Sequence, residues 1–123
     1  MLRSQLFSGD ARLRACETQD SAHILEGEAG SYVGLIQAAL AAVDGAEIDA
    51  GERAASRYGR STSAAVLKYK TRRQIVNHAY ENSADPIVGK MTIVRLDADV
   101  VDLESLGDEK TRIVFARPFS SRF

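Results

Sequence analysis

A short sequence pattern occurs twice in this chain, with an offset of thirty residues. Residues 58–62 read Tyr-Gly-Arg-Ser-Thr, and residues 88–92 read Val-Gly-Lys-Met-Thr. An aliphatic residue follows four positions after each threonine, Val66 in the first copy and Leu96 in the second. Glycine permits a tight turn, threonine can cap a helix start, and the aliphatic residue returns to the core one turn later. The repeat therefore predicts two loop-then-helix units that share one core.

Hydrophobic periodicity predicts a first helix ahead of the two units. It should begin at Ser31, whose hydroxyl can accept a hydrogen bond from the first turn, and end at Asp44 and Gly45, where glycine tolerates the left-handed turn. Its core face is formed by apolar residues three or four positions apart: Val33, Ile36, Leu40 and Val43. The polar stretch 46–61 is predicted as a loop, with a helical turn around residues 52–56.

The helices of the two units are predicted over residues 62–73 and from Gly89 towards Val100. The apolar side of the first consists of Ala65, Val66 and Tyr69, and its solvated basic side consists of Lys68, Lys70, Arg72 and Arg73. The second carries the apolar residues Met91, Val94 and Leu96 towards Val100, and the repeat places Leu96 in the core. Both helices should therefore bury one face against the first helix.

Together these elements predict a mainly α protein, a compact orthogonal three-helix bundle with pseudo-two-fold loop-helix repeats, over residues 30–100. Residues 1–29 are predicted as an N-terminal extension with a short helix capped by Asp10. Residues 101–123 are predicted as an extended C-terminal arm, because within residues 111–119 a period of two is typical of a strand. The residues at these alternate positions are Ile113, Phe115, Arg117 and Phe119.

Composition and motif content argue against several classes of function. Sixteen basic and seventeen acidic residues give a net charge of −1, whereas nucleic-acid binding draws on an excess of Lys and Arg. Cys16 is the only cysteine and His23 lies far from His78 in the sequence, so no metal or other cofactor is expected. No nucleophile or phosphate-binding motif occurs, so an enzyme is not expected. No apolar stretch is long enough for a membrane span or a signal peptide, and neither is expected.

Three segments occur in an order that is typical of one known family. Residues 30–40 contain a glycine, a valine, an Ile-Gln pair and a leucine, and residues 58–70 and 85–96 each contain the Gly-x-x-Thr pattern before a predicted helix. In this order they resemble the peptidoglycan-binding-like domains of bacterial cell-wall proteins, in which two Asp-Gly-x-Phe/Val-Gly-x-x-Thr loops each lead into a helix. The resemblance covers residues 30–97. The chain departs from the family pattern by a longer first loop, residues 49–59.

The resemblance implies a non-catalytic binding module that anchors its owner or a partner to the bacterial cell wall. The ligand would be the peptidoglycan glycan or its stem peptide, because sugar rings stack on aromatic side chains and carboxylates are held by Arg and Lys. The candidate ligand-binding residues are Arg57, Tyr58, Arg60, Tyr80, Asn82 and Lys90. In the alternative interpretation, Tyr58 belongs to the core and the basic residues form a solvated face. A wall-binding module would work in the cell envelope or periplasm.

A structural or protein-interaction module, in an envelope complex or a phage-tail-like contractile injection assembly, is the second functional hypothesis. The near-neutral charge and the apolar arm at residues 111–119 favour it, because an extended apolar segment can lie across a neighbouring protein's sheet or groove. The protein partner would bind through this arm. Such a protein would assemble in the cytoplasm before export.

Overall fold

The computed structural model describes residues 1–75 and 85–109, with side chains up to residue 106. Every regular element in this part of the chain is helical, which confirms the prediction of a mainly α bundle. Among the described residues, three helices are short, α1 (Gln5–Ser8), α2 (Ala11–Thr18) and α4 (Ala50–Ala55), and three are long, α3 (Ser31–Asp44), α5 (Arg60–Arg73) and α6 (Lys90–Glu109). A 3₁₀ turn, Asp20–Ala22, follows α2. α6 continues to Glu109, so the prediction of an extended arm from residue 101 is wrong for residues 101–109, whose apolar residues continue the helix. The rest of the predicted arm, including residues 111–119, lies outside the described residues.

α3 has the apolar face and the C-terminus that its sequence predicts. The core face consists of Val33, Ile36, Leu40 and Val43. Gly45 ends the helix with a φ of 64°, in the left-handed region that favours glycine. The N-cap is Gly30 and not Ser31, which is the first helical residue. Gly30 has a φ of 153°, and a Cβ there would lie 2.6 Å from the ring of Tyr32, so the entry to this helix requires glycine.

α5 begins at Arg60, two residues earlier than predicted. The reason is Glu52 of α4, whose carboxylate accepts hydrogen bonds from the amides of Ser61 and Thr62 at 3.0 Å each. These amides would otherwise lack acceptors, because the first turn of a helix has no intrahelical partners for them. The core face of α5 is formed as predicted by Ala65, Val66 and Tyr69.

α6 buries one helix face, which includes the residue that the repeat predicts. Ile93, Leu96 and Val100 are buried, whereas Met91 and Val94 are 56% and 47% exposed. The buried residues follow the three- and four-residue steps of one helix face, and the two exposed residues lie outside that face. The prediction that Leu96 returns to the core is therefore confirmed, whereas Met91 and Val94 lie largely outside the core.

The segment before residue 30 contributes to the same core. Its buried apolar side chains, packed against those of the long helices, are Leu2, Phe7, Leu13, Cys16 and Ile24. Asp10 caps α2 as predicted and accepts a hydrogen bond from the amide of Leu13 at 2.9 Å. Asp97 of α6 accepts hydrogen bonds from the amides of Arg3 and Ser4 at 2.8 and 2.9 Å. Asp97 of α6 thus anchors the backbone at Arg3 and Ser4.

The two loops of the repeat pair with one and the same segment of chain. Arg57 of the first loop forms an antiparallel bridge with Ala29, and Val88 of the second forms one with Ile24. Tyr58 and Val88, which occupy equivalent positions of the repeat, are both fully buried. The loops therefore lie side by side over a shared core, as the repeat predicts.

Both long helices of the repeat start with the same hydrogen bond. In the first unit the amide of Ser63 donates to the carbonyl oxygen of Gly59 at 3.0 Å. In the second unit the amide of Ile93 donates to the carbonyl oxygen of Gly89, also at 3.0 Å. The sequence repeat is therefore a repeat of backbone structure at the helix starts.

Candidate functional site

Tyr58, the aromatic residue of the predicted ligand site in the first loop, lies in the core. Its side chain is fully buried, and its hydroxyl donates a hydrogen bond to the carbonyl oxygen of Pro86 at 2.5 Å. Burial, aided by the nearby carboxylate of Asp85, raises the pKa of the Tyr58 phenol, so the hydroxyl stays protonated and keeps this bond. The ring cannot stack on a sugar from this position. The alternative interpretation, in which Tyr58 is a core residue, is the correct one.

A cleft of about 420 Å³ opens at the N-terminus of α6, beside the 3₁₀ turn and the C-terminal part of α5. Its lining includes Asp20, His23, Ile87, Lys90, Met91 and Thr92. The first turn of a helix attracts negative charge through its free amides and its dipole, and Lys90 adds a positive charge at this helix start. The cleft is therefore suited to an anionic group with apolar surroundings.

The predicted ligand-binding residues do not come together in this cleft. Lys90 lines it, whereas Arg57 and Arg60 are exposed beside the start of α5 and do not. Tyr80 and Asn82 lie outside the described residues. The basic residues of the first unit, Arg57 and Arg60, therefore lie apart from Lys90, the basic residue of the second unit.

Lys70 also lines the cleft and is buried, which corrects the prediction of a solvated position on α5. Its side chain is 6% exposed, and its Nζ lies 2.6 Å from Asp85 Oδ1 and 2.8 Å from the carbonyl oxygen of Ile87. The loop that returns towards α6 covers this turn of α5 and supplies both acceptors. A buried charge that loses its partner is costly, so this ion pair fixes one wall of the cleft.

A second set of charges forms the exposed rim of the cleft. Lys90 Nζ lies 3.1 Å from Asp20 Oδ1, and His23 Nε2 lies 3.7 Å from the same oxygen. The side chains of Lys90 and Asp20 are 45% and 81% exposed, so their ion pair contributes little and can be exchanged for another. Sequence reasoning missed Asp20 and His23, because they are far from Lys90 along the chain and belong to no local motif.

His23 is held close to the start of α6. Arg12 donates hydrogen bonds to the carbonyl oxygens of Ala22 and His23, which anchors the segment that carries the imidazole. A Cβ at Gly89 would lie 3.1 Å from His23 Nε2 and 3.3 Å from Cε1. The absence of a side chain at Gly89 therefore permits the helix start and the imidazole to approach each other.

The start of α5 is closed by a carboxylate from the chain itself. Glu52 is 5% exposed, and it accepts hydrogen bonds from the amides of Gly59, Ser61 and Thr62 at 3.0–3.1 Å and from the Thr62 hydroxyl at 2.8 Å. Burial acts to raise its pKa, but the hydrogen bonds from Ser61 and Thr62 outweigh burial and lower the pKa to about 2. Glu52 is therefore ionised at neutral pH. Gln37 completes the arrangement by donating to the Thr62 hydroxyl at 3.0 Å.

Cys16 carries the only thiol of the chain, and it lies in the core. Burial raises the pKa of this thiol to about 11, so the nucleophilic thiolate does not form at neutral pH.

Within residues 1–75 and 85–109, no three potential metal ligands are grouped together, and no helix is long and apolar enough to cross a bilayer. Comparisons with family models, curated proteins and solved structures found no match to this chain.

Proposed function

We propose that this chain is a non-catalytic module that binds peptidoglycan and anchors its owner or a partner to the bacterial cell wall. The observation that carries the proposal is the cleft at the N-terminus of α6. It combines Lys90, His23 and a helix start with the apolar side chains of Ile87 and Met91. A stem peptide offers carboxylates and short aliphatic side chains, which match the cationic and apolar parts of such a cleft. The order of the two Gly-x-x-Thr units in the sequence adds support.

Retention on purified insoluble sacculi tests the proposal. We expect the chain to co-sediment with sacculi at low salt, and the Lys90→Ala and His23→Ala variants to bind about tenfold more weakly, because each removes a polar group from the rim. Arg60→Ala is the matched control, since Arg60 is an exposed basic residue that starts the helix of the other unit. The wall-binding function is contradicted if nothing is retained, or if Arg60→Ala loses as much binding as Lys90→Ala.

A protein-interaction role is the second candidate, and the exposed apolar residues of α6 favour it. Met91 and Val94 lie one turn apart and are about half exposed, an arrangement that suits contact with another protein. A chain that does not bind sacculi but forms an oligomer in native mass spectrometry, lost in the Met91→Ser/Val94→Ser double variant, would favour this role. The partner surface at residues 111–119 stays a prediction.

A further inference from the structure

We propose that the N-terminus of α6 is a binding site for a ligand carboxylate, held by the same kinds of donors that hold Glu52 at the N-terminus of α5. The inference rests on the proposed function where it names the stem peptide of peptidoglycan as the source of the carboxylate. The hydrogen-bond donors at the start of α6 are inferred from the comparison of the two units, and they do not depend on the proposed function.

The first unit shows how this loop geometry holds a carboxylate. The two oxygens of Glu52 accept hydrogen bonds from three backbone amides and one hydroxyl, which belong to Gly59, Ser61 and Thr62. Amides are free at the start of every helix, and the helix dipole adds an attraction for negative charge. The first unit therefore contains a complete carboxylate site that is filled from within the chain.

The second unit carries the same donors in the same register. Gly89, Met91 and Thr92 lie thirty residues after the three donor residues of the first unit. Both helices start with an equivalent backbone hydrogen bond at 3.0 Å. Thr92 is 2% exposed and Thr62 is fully buried, so the two threonines occupy equivalent inner positions. The donor set that holds Glu52 is thus repeated at the start of α6.

The hydroxyl of Thr92 distinguishes the second unit from the first. Thr92 lines the cleft, and its hydroxyl has no hydrogen-bond partner in the part of the chain that the structure describes. Among the same residues, the amides of Met91 and Thr92 have no acceptor either. The position thirty residues after Glu52 is Asn82, an uncharged residue outside the described ones. The Thr92 hydroxyl and two amides at one helix start are therefore available to an acceptor in the cleft.

The charges at the rim favour a carboxylate over a neutral acceptor. Lys90 is the residue that follows Gly89, and its ammonium is paired with Asp20, whose side chain is 81% exposed. Exposed pairs of this kind are weak, so a ligand carboxylate can replace Asp20 as the partner of Lys90. Asp20 itself repels a ligand carboxylate, and its neutralisation should strengthen binding.

Titration of the full chain with two forms of one synthetic stem peptide tests the inference. One form has free carboxylates, and the other has carboxamides in their place. We expect the carboxylate form to bind about tenfold more tightly and to shift the NMR signals of the amides of residues 89–92. Thr92→Val and Lys90→Gln should each weaken its binding about tenfold, and Asp20→Asn should strengthen it about twofold.

Two controls separate the loss of a donor from the loss of the fold. Arg60→Gln changes the equivalent basic residue of the first unit and should leave the affinity unchanged, because Glu52 fills the site there. Thr92→Ser keeps the hydroxyl and should keep the affinity, while circular dichroism checks the helices of both Thr92 variants. Equal affinity for the two peptide forms, or amide shifts that avoid residues 89–92, would overturn the inference.

The outcomes also separate this inference from the proposed function. Retention on sacculi together with equal affinity for both peptide forms would uphold wall binding and overturn the carboxylate site. Binding of the carboxylate form at residues 89–92 without retention on sacculi would uphold the site and contradict wall binding.

Discussion

Glu52 and Lys70 are two buried charges that fix opposite ends of α5. Glu52 is satisfied by backbone amides and a hydroxyl at the N-terminus of the helix. Lys70, near its C-terminus, is satisfied by the Asp85 carboxylate and the carbonyl oxygen of Ile87. Each charge joins α5 to a separate segment of chain, so the position of α5 depends on single side chains as well as on apolar packing.

Through Glu52, the stability of the fold should fall as the pH is lowered from about 4.5 to about 2. The pKa of this carboxyl is lowered from 4.5 to about 2 in the folded state, so folding favours its ionised form. The contribution, about 3 kcal/mol, is therefore fully present above the unfolded-state pKa and is lost as the pH falls through the folded-state value. Urea unfolding across this pH range measures the effect.

The Glu52→Gln variant supplies the control for this pH dependence. The loss of stability that protonation of Glu52 causes at low pH should be absent from this variant, because glutamine does not titrate. Glu47→Gln, at an exposed position, should lose stability at low pH as the unmodified chain does. The same pH profile in Glu52→Gln and in the unmodified chain would contradict the assignment.

Burial at single positions was predictable from the sequence where it depends on local spacing. Val66 and Tyr69 follow the helical period, and both face the core as predicted. Local spacing leaves Tyr58 open between the ligand site and the core and places Lys70 on the solvated face, because their partners come from the loop at residues 85–87. That loop contacts them through tertiary structure, and no local pattern in the sequence records it.

At the scale of elements, α5 and α6 begin in the same way but face different surroundings. The Gly-x-x-Thr signals predicted both helix starts to within two residues, since turn and cap preferences are local. The walls of the cleft at α6 were not predictable in this way. Asp20 and His23 reach the start of α6 because Ile24 forms a bridge with Val88, and this pairing joins segments that are distant along the chain.

Replacement of Gly89 by alanine should displace His23 and narrow the cleft. The new Cβ would lie 3.1 Å from His23 Nε2, so the imidazole must move by a few tenths of an ångström. We expect changed NMR signals from the His23 ring and weaker retention on sacculi. Gly9→Ala is the control, since no heavy atom lies within 4 Å of a Cβ there. Unchanged His23 signals in Gly89→Ala would rule out the close packing of these two residues.

At the scale of the whole molecule, one core joins residues 1–29 to the helices of the repeat. α6 contacts α1, α2 and α3, and its Asp97 and Glu104 accept hydrogen bonds from amides at the start of the chain. The family resemblance covers residues 30–97 and contains no information about this packing. The helical class of the fold was predictable, whereas the contribution of the N-terminal segment to the core was not.

Phe7→Ala should lower the free energy of unfolding by about 3–5 kcal/mol, because it removes a fully buried aromatic side chain. Leu25→Ala, at a position that is 45% exposed, should change it by about 0.5 kcal/mol or less. Urea unfolding of both variants and of the unmodified chain provides the comparison. If the two substitutions cost the same, the N-terminal segment does not support the core as the structure indicates.

The two copies of the thirty-residue repeat differ in how far a substitution disturbs the fold. The copy that Glu52 closes supplies its own anion and helps to hold the bundle together, so a substitution of Glu52 should also cost stability. The copy at α6 can accept substitutions at its rim, at Asp20, His23 and Lys90, without disturbing the hydrogen bonds of Glu52. The rim at α6 can therefore be altered by protein engineering while the start of α5 keeps the architecture intact.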